Sequence, residues 1–287
     1  MGKYIKAAIS VILCSTLLMF VMCKKDDNGN GNGDGQTITG ENIFGHTCAD
    51  LSQIPAEWID SVKANLKVHY AHTSHGEQLT IGLERIESQN STYSVAIDFS
   101  NLPNESGALC IFDGQENETY ITPDLYWETH EGMNNTRAVL NHNPEINVSM
   151  WCWCTQCDYY TQSEVQAYLD SIAKLAGEFP NVTFVFFTGN AQAMDADGYN
   201  RHQRNQQIRQ FCNEHHFALF DFGDLDAWYY DGSSWEQATY DYNGTTVPHE
   251  HPNFQGDEGG HTTFESCEQK GRAVWWMLAR IAGWEGP

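Results

Sequence analysis

Residues 181–188 read NVTFVFFT, a run of apolar, β-branched and aromatic side chains without polar alternation. A strand of that kind is buried on both faces, as a central strand is in a parallel sheet covered by helices. Three more apolar-rich runs have strand length, 66–73 (LKVHYAHT), 146–153 (INVSMWCW) and 217–222 (FALFDF). Between and after them lie segments of helical period. Leu79, Leu83 and Ile86 share one face of 77–86. Val165, Tyr168, Leu169, Ile172, Leu175, Ala176 and Phe179 do so in 163–179, where Ser163 is a candidate cap. A polar helix over 200–215 turns Ile208, Phe211 and Cys212 inward, and a strongly apolar one spans 270–284. This alternation predicts an α/β fold, three-layer α/β/α with a central parallel sheet. Segment 89–144 gives only weak strand signals, at 94–99 and 108–112. Ligands of such sheets sit at the carboxyl ends of the strands, which selects Ser74, the 152–158 loop and residues 188–190.

The amino-terminal segment sets the compartment. Lys3 and Lys6 precede an apolar run from Ala7 to Met22 that is short for a bilayer span and reads as a signal peptide, 1–22. Cys23 follows directly, then Lys-Lys-Asp-Asp, a pattern that resembles bacterial lipoproteins in which that cysteine is acylated. Phe20 and Met22 are bulkier than the small residues usual before such a cysteine, and an uncleaved anchor is the other reading. The Lys-Lys-Asp-Asp stretch also resembles the acidic signals that send some outer-membrane lipoproteins to the cell surface. The expectation is a cell-envelope protein, held to the outer membrane through its lipid alone. Residues 26–40 (DDNGNGNGDGQTITG) have almost nothing to bury, so 23–45 is expected to be a flexible tether and 46–287 one domain.

A formal charge of −23 for the whole chain repels phosphate backbones and excludes nucleic acid as a partner. The chain is rich in Tyr (13) and Trp (9), with tryptophans at 127, 151, 153, 228 and 235 that suit either core packing or stacking on sugar rings. Setting aside Cys14 and Cys23 leaves seven cysteines, an odd number, for which disulfides or packed thiols are expected outside the cytoplasm.

A serine at a strand-to-helix turn can aim its hydroxyl at a ligand while nearby backbone amides face developing negative charge. Ser74 stands at such a turn, and His261, in GDEGGHTTFESCEQKGRAVWW before the last helix, is placed to act as its base, with Asp257 and Glu258 upstream to orient the ring. A serine turn after the first strand, a polar loop after a middle strand and an acid-x-x-His element before the final helix resemble the SGNH or GDSL hydrolases. The resemblance spans roughly 66–284 and is carried by HTSHGEQL, MWCWCTQ, FFTGNAQ, RNQQIRQFC with LFDFGDLDAWYYDG, and CEQKGRAVWWMLARIAGW. It implies a flavodoxin-like sheet and no cofactor. It also implies a serine esterase acting through an acyl-enzyme, with Ser74 as nucleophile, His261 as base and Glu258 at the acid position. The substrate would be a small-molecule or carbohydrate ester. The chain departs from the pattern in two places: His72-Thr73-Ser74 stands where Gly-Asp-Ser is usual, and Cys154-Thr155-Gln156-Cys157-Asp158 lacks the third-block Asn. Ser74, Gln156 and Asn190 are the candidate oxyanion donors, and Gly107 and Gly132 the candidates for the second-block glycine.

Other chemistries compete for the same residues. Cys152, Cys154 and Cys157 have no matching second ligand pair, so no metal is expected there. His249 and His251 offer an alternative base or ligands, Asp195-Ala196-Asp197-Gly198 lacks the glutamate that completes a calcium loop, and a glycan-binding lipoprotein without hydrolysis is the reading from a different class.

Overall fold

The computed structural model describes residues 42–287. The expected signal peptide, Cys23 and residues 24–41 of the expected tether lie outside the described residues. Seven strands form one all-parallel sheet: β1 (Ile43–Phe44), β2 (Lys67–Ala71), β3 (Val95–Asp98), β4 (Leu109–Asp113), β5 (Val148–Trp151), β6 (Thr183–Phe187) and β7 (Ala218–Phe220). Their order is β1-β7-β6-β5-β2-β4-β3. The apolar runs at 66–73, 146–153, 181–188 and 217–222 all become strands, and every residue of β5 and β6 is buried. From β2 the chain moves outward to β3 and β4, then returns to lay β5 on the other side of β2. The crevice between the carboxyl ends of β2 and β5 is therefore where the direction of winding reverses, the usual ligand position in such sheets.

The helices are α1 (Ala56–Asn65), α2 (Glu77–Gln89), α3 (Pro123–Tyr126), α4 (His130–His142), α5 (Gln162–Glu178), α6 (Asp195–His215), α7 (Phe222–Ala227) and α8 (Phe264–Ile281). They form two groups, as a sheet covered on both faces requires. In one, α1, α2 and α7 pack on α8; in the other, α3 packs on α4, α4 on α5 and α5 on α6. The α2–α8 crossing is close because glycines meet there. A Cβ on Gly82 would overlap the Cys267 carbonyl, and one on Gly271 would lie 2.7 Å from the Gly82 carbonyl carbon. Among the described residues no helix is long and apolar enough to cross a membrane.

Several local expectations change. Thr161, not Ser163, caps α5: its hydroxyl accepts the Glu164 amide while the Glu164 carboxylate returns to the Thr161 amide. Ile43 and Phe44, assigned above to the tether, pair with β7 as an edge strand. Two residues carry no periodicity, so sequence alone could not find them. Asp195–Gly198 is the first turn of α6, with Asp195 at φ +54°. Trp127, Trp151 and Trp153 are buried edge-to-face with one another, and Trp127 and Trp153 also with Tyr168, so these three serve packing.

A buried polar chain crosses the sheet centre. His69 Nε2 lies 3.0 Å from the Gly114 carbonyl and so carries the proton, its Nδ1 accepts the Ser149 hydroxyl at 2.9 Å, and Tyr126 donates to Ser149 at 2.6 Å. Burial holds His69 neutral and lowers its pKa to about 4. The unfolded chain takes up this proton near pH 6.5. Stability should therefore fall between about pH 6.5 and pH 4 and stop falling on this account below that, with about 3 kcal/mol at stake. Urea titrations across that range should show a shallower decline for His69→Gln; equal slopes would remove His69 as the source.

Candidate active site

The candidate site lies in the β2/β5 crevice. After β2 the chain enters a tight helical turn, Ser74–Gly76, that runs into α2. The Tyr70 hydroxyl donates to the Gly76 carbonyl at 2.7 Å, and a Cβ at Gly76 would collide with His72, so the turn is fixed by its neighbours. His72, beside it, is ion-paired at 2.9 Å with buried Asp113 at the end of β4. Burial works against a charge on His72, but the Asp113 carboxylate outweighs it and raises the pKa. The Ser74 and His75 amides make no hydrogen bond to protein groups among the described residues. They are left at the start of a helical segment, where an anion is stabilised.

His75, not Ser74, is the centre of the hydrogen bonding. Its Nδ1 lies 3.0 Å from Cys154 Sγ, in the loop after β5, and its Nε2 lies 2.8 Å from Gln192 Oε1, in the loop after β6. The Gln192 amide nitrogen donates to Glu250 Oε1 at 3.1 Å and to the His261 carbonyl at 2.6 Å. Both partners are acceptors, so the oxygen of Gln192 must be the atom facing the ring. His75 Nε2 therefore carries a proton, and Nδ1 is left to exchange one with the thiol.

That exchange favours the ion pair. Burial alone would push the Cys154 thiol up. The His75 hydrogen bond and charge outweigh it, the Ser74 and Thr73 hydroxyls help, and the pKa falls to about 6. On His75, burial likewise opposes the charge, and Cys154 and Gln192 together raise the pKa. The result is a half-buried thiolate beside an imidazolium. Cys154 should accordingly be alkylated by iodoacetamide at a rate that rises through about pH 6 and is flat by pH 7.5, whereas an ordinary thiol is still gaining at about 8.5. A midpoint above 8 would remove the ion pair.

The supports behind this chain are buried. The Ala191 amide donates to Asp226 Oδ2 at 2.7 Å, and the Glu250 amide to the Ala191 carbonyl at 2.7 Å. Glu250 Oε1 also accepts the Thr262 hydroxyl at 3.1 Å. Burial, then the nearby Asp226 carboxylate, push the Glu250 pKa to about 7.

The expected residues are distributed around this cluster. Ser74 Oγ is 3.4 Å from Cys154 Sγ, its one hydrogen-bond contact among the described residues, none of which brings an imidazole within hydrogen-bond reach of it. The loop carrying His261 reaches the same turn: a Cβ at Gly260 would stand 3.1 Å from the Ser74 carbonyl, and the His261 and His75 rings are 5.0 Å apart. His261 itself is exposed, with φ +68°, and its Nδ1 is 3.6 Å from exposed Asp257. Glu258 does not face His261, because its carboxylate accepts the Phe264 amide at the start of α8. Gln156 Oε1 accepts the Cys154 amide at 2.8 Å, its nitrogen has no partner among the described residues, and Asn190 donates to the Cys154 carbonyl at 2.6 Å. Gly107 precedes β4 and Gly132 lies in α4; the glycine at the carboxyl end of β4 is Gly114, φ +112°.

His75, Gln192 and Glu250 were not among the sequence candidates, and Cys154 was weighed there as a metal ligand, a disulfide partner or a packed thiol, not as a nucleophile. Cys154 was obscured by its neighbours in CWCTQC, where Cys152 and Cys157 are fully buried and burial raises both thiols. Cys110, Cys152, Cys154, Cys157, Cys212 and Cys267 carry free thiols, and of these all but Cys154 are buried. Among the described residues no three His, Cys, Asp or Glu side chains converge as a metal would require. His251 accepts the Asn253 amide and stacks on Tyr229, a structural use of its ring. No protein-family model and no curated protein matches this chain.

Proposed function

We propose that the chain is an ester hydrolase working through an acyl-enzyme, with Cys154 as nucleophile, His75 as general base and acid, and Gln192 as the group that orients His75. The observation that carries this is the Cys154–His75–Gln192 chain at 3.0 and 2.8 Å. A cysteine, a histidine and a side-chain amide that orients the ring form the constellation with which papain-like proteases aim a thiolate at a carbonyl. The thiolate adds to the ester carbonyl and forms a C–S bond, while the carbonyl oxygen takes up the electron pair. The Ser74 and His75 amides, with the Gln156 amide nitrogen, are the donors for that oxyanion. His75 Nδ1 then gives its proton to the departing alkoxide. A water that loses its proton to the same nitrogen attacks the thioester, releasing the acid and restoring the thiolate.

The compartment reading completes the proposal: an SGNH-like exported lipoprotein, acylated on Cys23, acting on small or carbohydrate esters. A Ser74 nucleophile is a second reading, favoured by the packing of the His261 loop on the Ser74 turn. Incubation with aryl acetates and acetylated oligosaccharides after prior treatment with iodoacetamide or a fluorophosphonate separates the two. Loss of turnover with iodoacetamide alone is expected. Loss with fluorophosphonate, carried as adduct on Ser74, would transfer the role to serine, and absence of turnover on every ester would end the hydrolase reading.

A further inference from the structure

A second group of polar and aromatic side chains stands at the far edge of the sheet, beyond β7. Strands β8 (Trp228–Tyr230) and β9 (Trp235–Gln237) form an antiparallel hairpin in which Trp228 faces Gln237 and Tyr230 faces Trp235. Opposed residues and alternate positions share a face, so Trp228, Tyr230, Trp235 and Gln237 present one surface together. Tyr230 is 46 % exposed and its ring lies 5.2 Å from that of Trp235. His46, just after β1, completes the surface, stacked on Trp228 at 4.4 Å and edge-on to Trp235 at 4.9 Å.

His46 is held rather than loose. Asp224 Oδ2 lies 2.6 Å from its Nδ1 and accepts its backbone amide at 2.8 Å, and a side chain at Gly45 would collide with that carboxylate. A carboxylate on Nδ1 sets that nitrogen as donor and leaves Nε2 directed elsewhere. His46 Nε2, Asp224 Oδ1, the two indole N–H groups and the Gln237 amide have no hydrogen-bond partner in the protein among the described residues. Flat apolar rings are thus set among idle donors and acceptors, the pattern of a pyranose, with its C–H face and equatorial rim of hydroxyls.

We infer that this hairpin face is a binding subsite for a neutral oligosaccharide, with sugar rings on Trp235 and Tyr230 and hydroxyls on His46 and Asp224. Neutral sugars are specified because Arg209, the cation beside Asp224, is taken up by Asp221 in a two-point pair at 2.6 and 2.7 Å. A chain of formal charge −23 opposes anionic glycans besides. The reverse of the hairpin is joined to the catalytic loops: Tyr229 stacks on His251 at 4.9 Å, next to Glu250, which holds Gln192. The subsite follows β1 and β7 at the same carboxyl edge of the sheet as Cys154, so it deepens the proposed action on carbohydrate esters and rests on that reading for its purpose. Its existence does not depend on catalysis.

Calorimetric titration of the full chain bearing Cys154→Ala tests it with xylohexaose, cellohexaose and mannohexaose, and with hexagalacturonate as the anionic control. At least one neutral hexasaccharide should bind, and Trp235→Ala, Tyr230→Ala or His46→Ala should each weaken it tenfold or more, with unchanged circular dichroism. Binding by none of the three neutral sugars, binding unaffected by all three substitutions, or equal binding of hexagalacturonate would overturn the inference. Because the titrated protein lacks the thiol, these outcomes stand apart from success or failure of the hydrolase reading.

Discussion

Cys154→Ala should lower turnover of an activated ester by about 10³-fold or more, and His75→Ala should cost nearly as much. The two losses should not add, because thiolate and imidazolium are made in one proton transfer and neither residue retains its role without the other. Ser74→Ala should behave differently. Its hydroxyl supports the thiolate at 3.4 Å, so its removal leaves nucleophile and base in place, with a loss of about tenfold and a raised alkylation midpoint. Gln192→Ala frees the ring to take either tautomer and should lie between the two, at about 10²-fold. Rates of 4-nitrophenyl acetate hydrolysis, with iodoacetamide labelling in parallel, check the series. Full activity in Cys154→Ala with none in Ser74→Ala would assign the chemistry to serine.

Much of the frame was legible because burial on both faces of a strand and on one face of a helix leaves periodic marks. The strands at 67–71, 148–151, 183–187 and 218–220 and helices α2, α5, α6 and α8 all follow from those marks. The helix α4 did not, since HEGMNNTRAVLNH buries only a thin stripe, Gly132, Met133, Thr136, Val139 and Leu140, among residues of poor helix propensity. The site was legible as a place and not as a set of partners. A switch point between β2 and β5 follows from topology, and Ser74 and the 152–158 loop lie beside it. Which side chains meet there depends on loops far apart in sequence. His75 meets Cys154 across 79 residues and Gln192 across 117, and no local spacing encodes either contact. Glu250 was hidden between two histidines that drew attention to themselves.

Replacing Lys270 should produce the largest loss of stability. Lys270 is fully buried in α8, 2.6 Å from Asp226 Oδ1, with its ammonium donating to Ser266 at 2.5 Å and lying 4.8 Å from the centre of the Phe222 ring. Lys270→Met fits the volume but leaves the Asp226 carboxylate buried without its cation, close to Glu250. Breaking a buried pair from one side costs about 3–5 kcal/mol, since the stranded charge keeps its desolvation penalty and loses its attraction. Lys270→Met with Asp226→Asn removes both charges and leaves an oxygen to accept the Ala191 amide, so most of the loss should return. Urea unfolding at pH 7 supplies the measurement: a midpoint for Lys270→Met equal to that of the wild type, or a double variant no more stable than the single one, would show that the pair does not hold this part of the core. The same variant links core to site, because Asp226 fixes the Ala191 amide ahead of Gln192. Cys154 alkylation near pH 6 should therefore slow in Lys270→Met and recover in the double variant.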